Sequence, residues 1–268
     1  MSRNAVTRVE LFVREVLAAS GKRPLILGLC GAQGSGKSTL AFKLAKRLNA
    51  QGFATASLSL DDLYLSREAR ADLARDVHPL LATRGVPGTH DVALGERVLD
   101  ALEARQTVHL PRFDKARDAP VPQADWPEAG PVDVVIFEGW CIGARPQAET
   151  ELATAVNALE AERDPDGLWR RYVNDRLAGP YTQLFGRLDR LVLLAAPGFE
   201  VVQGWRTQQE HGLAQRTQQA GRDGAHIMSD AGVAAFIQHY ERLTRHILRE
   251  MPARADLTLR LDRHRRVI

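Results

Sequence analysis

Cysteine is scarce in this chain: two of 268 residues, Cys30 and Cys141. That argues against a disulfide scaffold, and neither cysteine has neighbours at zinc-ligand spacing. Aromatic residues make up only 6%, and no basic stretch interleaves with them, so the pattern of a nucleic-acid surface is missing. No apolar run approaches the roughly 20 residues of a membrane span. The apolar core of a secretion signal is lacking as well; Val6, Val9, Leu11, Phe12, Val16 and Leu17 recur instead at helical spacing. Nor is there an excess of one charge: 36 basic against 33 acidic residues leave +3. Much of that excess, Arg260, Arg263, Arg265 and Arg266, reads as a solvated tail. Repeats and low-complexity linkers are absent. The expectation is a cytoplasmic protein with no nucleic-acid or membrane partner, folded as one domain over residues 1–268.

What is present is a core-forming composition, 44% hydrophobic and 26% charged, with apolar, β-branched runs alternating with helical patterns. That alternation predicts an α/β fold with a mainly parallel five-stranded sheet and helices on both faces. The expected strands are Leu25–Cys30, Ala54–Leu60, Val132–Phe137, Arg190–Ala195 and Leu257–Leu261. Helices are expected over Lys37–Ala50, Ser66–Arg75, Val92–Ala104, Gly198–Ala220 and Asp230–Arg249, and much of Gln147–Phe185 also reads as helical. The helix from Gly198 has too few apolar positions for the core, so it is expected to be exposed or mobile, a lid near 198–220. Two loop-rich segments, 77–91 and 110–131, interrupt the pattern. Long loops at the carboxyl ends of parallel strands are where such folds bind ligands.

Residues Gly31, Ala32, Gln33, Gly34, Ser35, Gly36, Lys37 and Ser38 form G-x-x-x-x-G-K-[ST] between an apolar strand and an amphipathic helix. This is the phosphate-binding loop of the P-loop NTPase three-layer fold. Its glycines let backbone N–H groups face a polyphosphate, and the helix N-terminus, with Thr39 in its first turn, adds a positive end. Lys37 would reach the β- and γ-phosphates of ATP, and the Ser38 hydroxyl would sit on Mg²⁺. Val134-Val135-Ile136-Phe137 followed by Glu138 supplies the acid expected to hold that metal with Ser38.

The second strand ends in Asp61-Asp62. Transfer to a hydroxyl needs a group that orients the acceptor oxygen and takes its proton. Adjacent residues in extended chain point apart, so one of the pair would face the site and the other would cap the next helix. Asp61 is the preferred base; Asp62 is the alternative. In the two loop-rich segments, Arg84, His90, Arg112 and Lys115 would suit a small anionic acceptor. Arg206 is a candidate lid arginine for transition-state charge.

Together these residues resemble the P-loop kinases that include uridine kinase, phosphoribulokinase and pantothenate kinase. The likeness is most specific to the D-glycerate 3-kinases. It is carried by Arg84-Gly85-Val86-Pro87-Gly88-Thr89-His90-Asp91 and Leu110-Pro111-Arg112-Phe113-Asp114-Lys115, with Phe137-Glu138-Gly139-Trp140, Trp205-Arg206 and Met228-Ser229-Asp230. It extends from about residue 25 to about 250 and is weaker over Gln147–Asp189. The resemblance implies ATP-dependent phosphorylation of the 3-hydroxyl of D-glycerate, with Asp61 in the base position. Two alternatives stay open: a kinase of the same fold for uridine, pantothenate or a phosphoribulose-type acceptor, or a P-loop hydrolase acting on a partner. Against the last, the chain has no Asn-Lys-x-Asp guanine motif.

Overall fold

Five apolar runs build one sheet. The computed structural model describes residues 3–219 and 228–268. Its elements run α1 (Arg3–Ser20), β1 (Leu25–Gly31), α2 (Lys37–Ala50), β2 (Thr55–Ser59), α3 (Arg67–Asp76), α4 (Val92–Glu103), β3 (Val108–His109), β4 (Phe113–Asp114), β5 (Ala119–Pro120), β6 (Glu128–Ala129), β7 (Val134–Gly139), α5 (Ala158–Arg163), α6 (Leu168–Arg176), α7 (Thr182–Phe185), β8 (Arg190–Ala195), α8 (Glu200–Gln219), α9 (Asp230–Glu250) and β9 (Leu257–Arg260). The large sheet has the order β2-β7-β1-β8-β9, and every neighbouring pair is parallel.

Side-chain alternation divides the core into two layers of helices. Leu25, Leu27 and Leu29 of β1 meet Val6, Val9 and Val13 of α1 and Leu40, Leu44 and Leu48 of α2. Ile26 and Cys30 face the other way, toward Val98, Leu99 and Leu102 of α4 and Ile237, Leu243 and Ile247 of α9. Each fully buried leucine of this kind contributes about 1.5–3 kcal/mol relative to an exposed one. The central strands β1 and β7 are buried along their whole length, whereas the edge strand β2 alternates. Buried strands with helices on both faces are what parallel connections require. Both cysteines are buried and free. No helix among the described residues is long and apolar enough to cross a membrane.

The structure departs from the sequence reading at several points. Strand β7 runs on through Glu138 and Gly139, which pair with Leu29 and Cys30 of β1; the acid is therefore inside the strand rather than beyond it. The 110–131 segment is not all loop. Val108–His109 pairs with Glu128–Ala129, and Phe113–Asp114 pairs with Ala119–Pro120. Within Gln147–Phe185 the helical run breaks at Leu177–Tyr181, where Gly179 leaves helical angles and Pro180 has no amide proton to donate. Helix α8 is firmly seated at its start: Phe199, Val202 and Trp205 recur every three residues and all are buried. The expected end at Ala220 lies outside the described residues, as do Met1 and Ser2.

Candidate active site

The phosphate-binding loop leaves β1 at Gly31 and enters α2 at Lys37. Two positions demand glycine. Gly34 and Gly36 have φ of +73° and +91°, a region that penalises any Cβ. At Gly34 a Cβ would also lie 2.8 Å from the backbone carbonyl carbon of Trp205. The turn closes with the Ser35 amide donating to the Ala32 carbonyl at 3.1 Å. Ser35 is fully buried, and its hydroxyl has no partner among the described residues, nor do the amide atoms of Gln33. Lys37 forms no ion pair among the described residues, and Thr39 is exposed on the first turn of α2. A loop ringed with unpartnered polar groups fits a polyphosphate.

Three parallel strands deliver the rest of the site. In the order β2-β7-β1, Asp61 follows β2, Glu138 is the penultimate residue of β7 and the phosphate loop follows β1. The Ser38 hydroxyl donates to Glu138 Oε1 at 2.8 Å. Glu138 is buried, and its Oε2 is without a partner among the described residues. Two convergent hard oxygen donors, one carboxylate oxygen still unsatisfied, fit a divalent cation. Among the described residues no group of three His, Cys, Asp or Glu side chains could cage a metal. Such an ion would therefore take its remaining ligands from phosphate and water.

Asp61 and Asp62 sit in a single 3₁₀ turn, Leu60–Leu63, in which the Asp61 amide donates to the Ser59 hydroxyl at 3.3 Å. Asp61 Oδ1 accepts from the Tyr64 hydroxyl at 2.8 Å, and its Oδ2 lies 2.5 Å from Lys115 Nζ. Burial works to raise the Asp61 carboxyl. The charges of Lys115 and Lys37 and the two donated bonds outweigh it and hold the group well below the usual carboxylate range. Asp62 caps no helix, contrary to expectation. It accepts from the Phe113 amide at 3.1 Å and from Arg112 at 3.4 Å. Its side chain fastens the 110–115 loop; Ser66 caps α3 instead. Burial raises the Asp62 carboxyl, with Arg112 only partly opposing.

The four residues expected to suit an anion, three cations and the potentially cationic His90, lie near the Asp61–Asp62 turn, and each of the three cations is already paired with a carboxylate. Arg84 pairs with Asp118, which also takes Arg70 Nη2 at 2.6 Å. The Arg84 guanidinium lies 5.7 Å over the Phe113 ring. Arg112 pairs with Asp62 and Lys115 with Asp61. His90 is no cation: burial lowers its pKa to about 4. Its Nδ1 is 2.6 Å from the Tyr181 hydroxyl, its ring stacks on Tyr64 at 4.7 Å, and its buried Nε2 has no partner among the described residues.

Arg206 points toward α9. It pairs with Glu210, lies 5.8 Å over the Phe236 ring, and its Nε has no partner among the described residues. Phe236 in turn touches Tyr240, whose hydroxyl donates to the Arg84 carbonyl at 3.0 Å. Trp140, just beyond Glu138, donates to the Gly85 carbonyl at 2.8 Å. The loop expected to bind the acceptor is thereby tied to both β7 and α9.

Several participants escaped the sequence reading. Tyr64 and Tyr181 were legible as residues but not as partners of Asp61 and His90. Asp118 carries no motif at all. Arg265, assigned to a solvated tail, instead reaches back across the molecule. Its Nε donates to the Gly34 carbonyl at 2.6 Å, its other nitrogens to Gln208 at 3.0 Å and the Trp205 carbonyl at 3.3 Å, and it lies 5.2 Å over the Trp205 ring.

Comparison with known proteins gives a consistent set. No protein-family model matches the chain. It is 36% identical over 228 residues to mug58, an uncharacterized kinase of Schizosaccharomyces pombe, spanning 81% of this chain and 79% of that protein. It is 31% identical over 229 residues to the chloroplastic D-glycerate 3-kinase of Arabidopsis thaliana, spanning 81% of this chain and 46% of that protein. The structure of D-glycerate 3-kinase from Cryptococcus neoformans matches with a TM-score of 0.80 at 27% identity, over 98% of this chain and 97% of that one.

Proposed function

The chain belongs to the D-glycerate 3-kinase family of P-loop kinases, and from that premise we propose that it transfers the γ-phosphoryl group of ATP to the 3-hydroxyl of D-glycerate. The observation that carries this reading is the order of three strand ends: phosphate loop after β1, Glu138 on β7, Asp61 after β2. Neighbouring strands are about 4.8 Å apart. A triphosphate held by the loop would thus extend its terminal group over β7, with an acceptor hydroxyl arriving from the β2 side. Such an order would suit the in-line arrangement that phosphoryl transfer needs.

Each residue then has a task. Backbone N–H groups of residues 32–38 and the Lys37 ammonium bind the phosphates. Ser38 and Glu138 would hold a Mg²⁺ ion, which when bound offsets phosphate charge. Asp61 orients the acceptor hydroxyl and accepts its proton. Arg84, Arg112 and Lys115 surround the place where a small carboxylate would dock. His90, neutral at physiological pH, offers its free Nε2 as a hydrogen-bond partner rather than a charge. Arg206 would turn from Glu210 to the transferring group as α8 closes. In this reading the chain is a single catalytic unit, with segments 77–91 and 110–131 as the acceptor face and the stretch near 198–220 as a lid.

An anionic acceptor accounts for the basic side chains in both loops, whereas a nucleoside would ask for stacking surfaces and amide donors. The test is a panel of D-glycerate, L-glycerate, glycerol, uridine, pantothenate and ribulose 5-phosphate, each with ATP and Mg²⁺, followed by ADP release. D-Glycerate is expected to give the highest kcat/KM. Efficient phosphorylation of uridine or pantothenate, with D-glycerate inert, overturns the acceptor assignment.

A further inference from the structure

We propose that Lys115 is a lock on Asp61 that an anionic acceptor releases, so that the charge of the acceptor, and not its hydroxyl alone, makes the base available. This role rests on the glycerate-kinase reading of the same site and adds to it a source of selectivity against water and neutral alcohols.

The geometry supplies three parts. First, Lys115 Nζ is 2.5 Å from Asp61 Oδ2, while Oδ1 is held by Tyr64. The oxygen left for an acceptor proton is the one the ammonium covers. Second, the backbone beneath Lys115 is fixed. Asp114 Oδ1 accepts from the amides of Ala116 and Arg117 at 2.9 and 3.2 Å, and Asp62 anchors Phe113. Third, the Lys115 side chain itself is 57% exposed. A flexible four-carbon stem can swing to a new partner, but Asp61 is only 22% exposed, so the ammonium leaves it only where another carboxylate replaces the lost pairing. The neighbouring cations lack this freedom: Arg84 shares Asp118 with Arg70, and Arg112 also donates to the Pro111 carbonyl at 2.7 Å.

An acceptor bearing a carboxylate offers Lys115 an equivalent partner. The ammonium exchanges one carboxylate for the other, and Asp61 Oδ2 is freed to accept from the acceptor hydroxyl. In the transfer step the acceptor oxygen forms a bond to the γ-phosphorus. The bond from that phosphorus to the β,γ-bridging oxygen breaks, and its electron pair leaves on ADP. The hydroxyl proton passes to Asp61 and then to solvent. Water and glycerol bring no carboxylate, so Lys115 stays on Asp61 and ATP is spared hydrolysis.

Lys115→Met removes the charge and keeps most of the stem; Lys115→Arg keeps the charge. Three rates are measured for each: ATP hydrolysis without acceptor, and kcat/KM for glycerol and for D-glycerate. In Lys115→Met, hydrolysis and glycerol phosphorylation are expected to rise about tenfold, because general-base efficiency follows the proton affinity of the base. D-Glycerate phosphorylation is expected to fall by about tenfold or more with the loss of a charge-assisted contact. Lys115→Arg should return hydrolysis to the wild-type level. If Lys115→Met and Lys115→Ala both leave hydrolysis and glycerol turnover unchanged or lower, Lys115 is an acceptor contact only and the lock is overturned. If the wild-type enzyme ignores D-glycerate but Lys115→Met still raises hydrolysis, the lock stands and the acceptor assignment fails.

Discussion

Ser38 and Glu138 are joined by a 2.8 Å hydrogen bond that ties the first turn of α2 to the end of β7. The bond leaves Glu138 Oε2 buried with no partner among the described residues, which is costly unless something else is bound there in the working enzyme. Glu138→Gln keeps the shape and an oxygen for Ser38 but removes the charge. The Mg²⁺ concentration giving half-maximal rate should rise by about tenfold or more, with kcat reduced, since a hard cation is held mainly by carboxylate charge. The melting temperature without Mg²⁺ should change little. An unchanged Mg²⁺ dependence would remove Glu138 from the metal site.

The two adjacent aspartates should separate cleanly. Asp61→Asn keeps a bond to Tyr64 but cannot take a proton, so turnover should fall ~10²–10⁴-fold with ATP affinity nearly intact. Asp62→Asn retains an oxygen for the Phe113 amide and should be mild, raising the acceptor KM through a looser Arg112. Asp62→Ala should also lower stability by about 1–3 kcal/mol, the cost of leaving that amide unpaired. The measurements are kcat, both KM values and thermal melts. The opposite ranking would exchange the roles.

These two residues also show how far the sequence could be read. All five strands of the large sheet were located: β1, β7 and β8 are near-continuous apolar runs bounded by helical patterns, and the edge strands β2 and β9 are short, half-buried runs. The phosphate loop was equally plain, since its backbone shape admits few sequences. What was illegible were contacts closed across long chain separations. Nothing near Asp62 announces that it will hold the Phe113 amide, and nothing in Asp118 announces Arg70 and Arg84. His90 counted as a potential cation because charge state depends on burial, which motif spacing does not report.

His90 makes the stability of the protein sensitive to mild acid. Burial lowers its folded pKa from 6.5 to about 4. The unfolded chain therefore takes up a proton first as pH falls, and stability drops between about pH 6.5 and pH 4. The full shift corresponds to at most about 3 kcal/mol. Burial lowers His239 and His246 as well, so they act in the same direction. Asp61, held low, keeps its stabilising contribution through this range and begins to lose it only below its ordinary value of 3.8, where the aspartate of the unfolded chain takes up its proton. Urea melts from pH 7 to 4.5 should show this loss in the wild type. In His90→Gln, which can still bond Tyr181, the slope should be shallower but not flat. Identical slopes would mean that His90 titrates normally.

Arg265 should matter for nucleotide rather than acceptor. Its guanidinium bonds the Gly34 carbonyl and spans to Trp205 and Gln208 on α8, so it fixes the tip of the phosphate loop against the helix that carries Arg206. Arg265→Ala removes all of these donors at once and leaves a loop carbonyl and a helix start less constrained. Bonds from a charged donor contribute about 1.5–3 kcal/mol, and part of that is retained through the Trp205 packing against Gly34. The KM for ATP should therefore rise about three- to thirtyfold, while the acceptor KM stays within about twofold. Lysine can reach one carbonyl but cannot form the fork, so Arg265→Lys should recover only part of the loss. Steady-state kinetics with each substrate varied in turn, together with a direct ATP-binding titration, give the comparison. A rise in acceptor KM with ATP binding unchanged would mean that the C-terminal turn acts on the other half of the site.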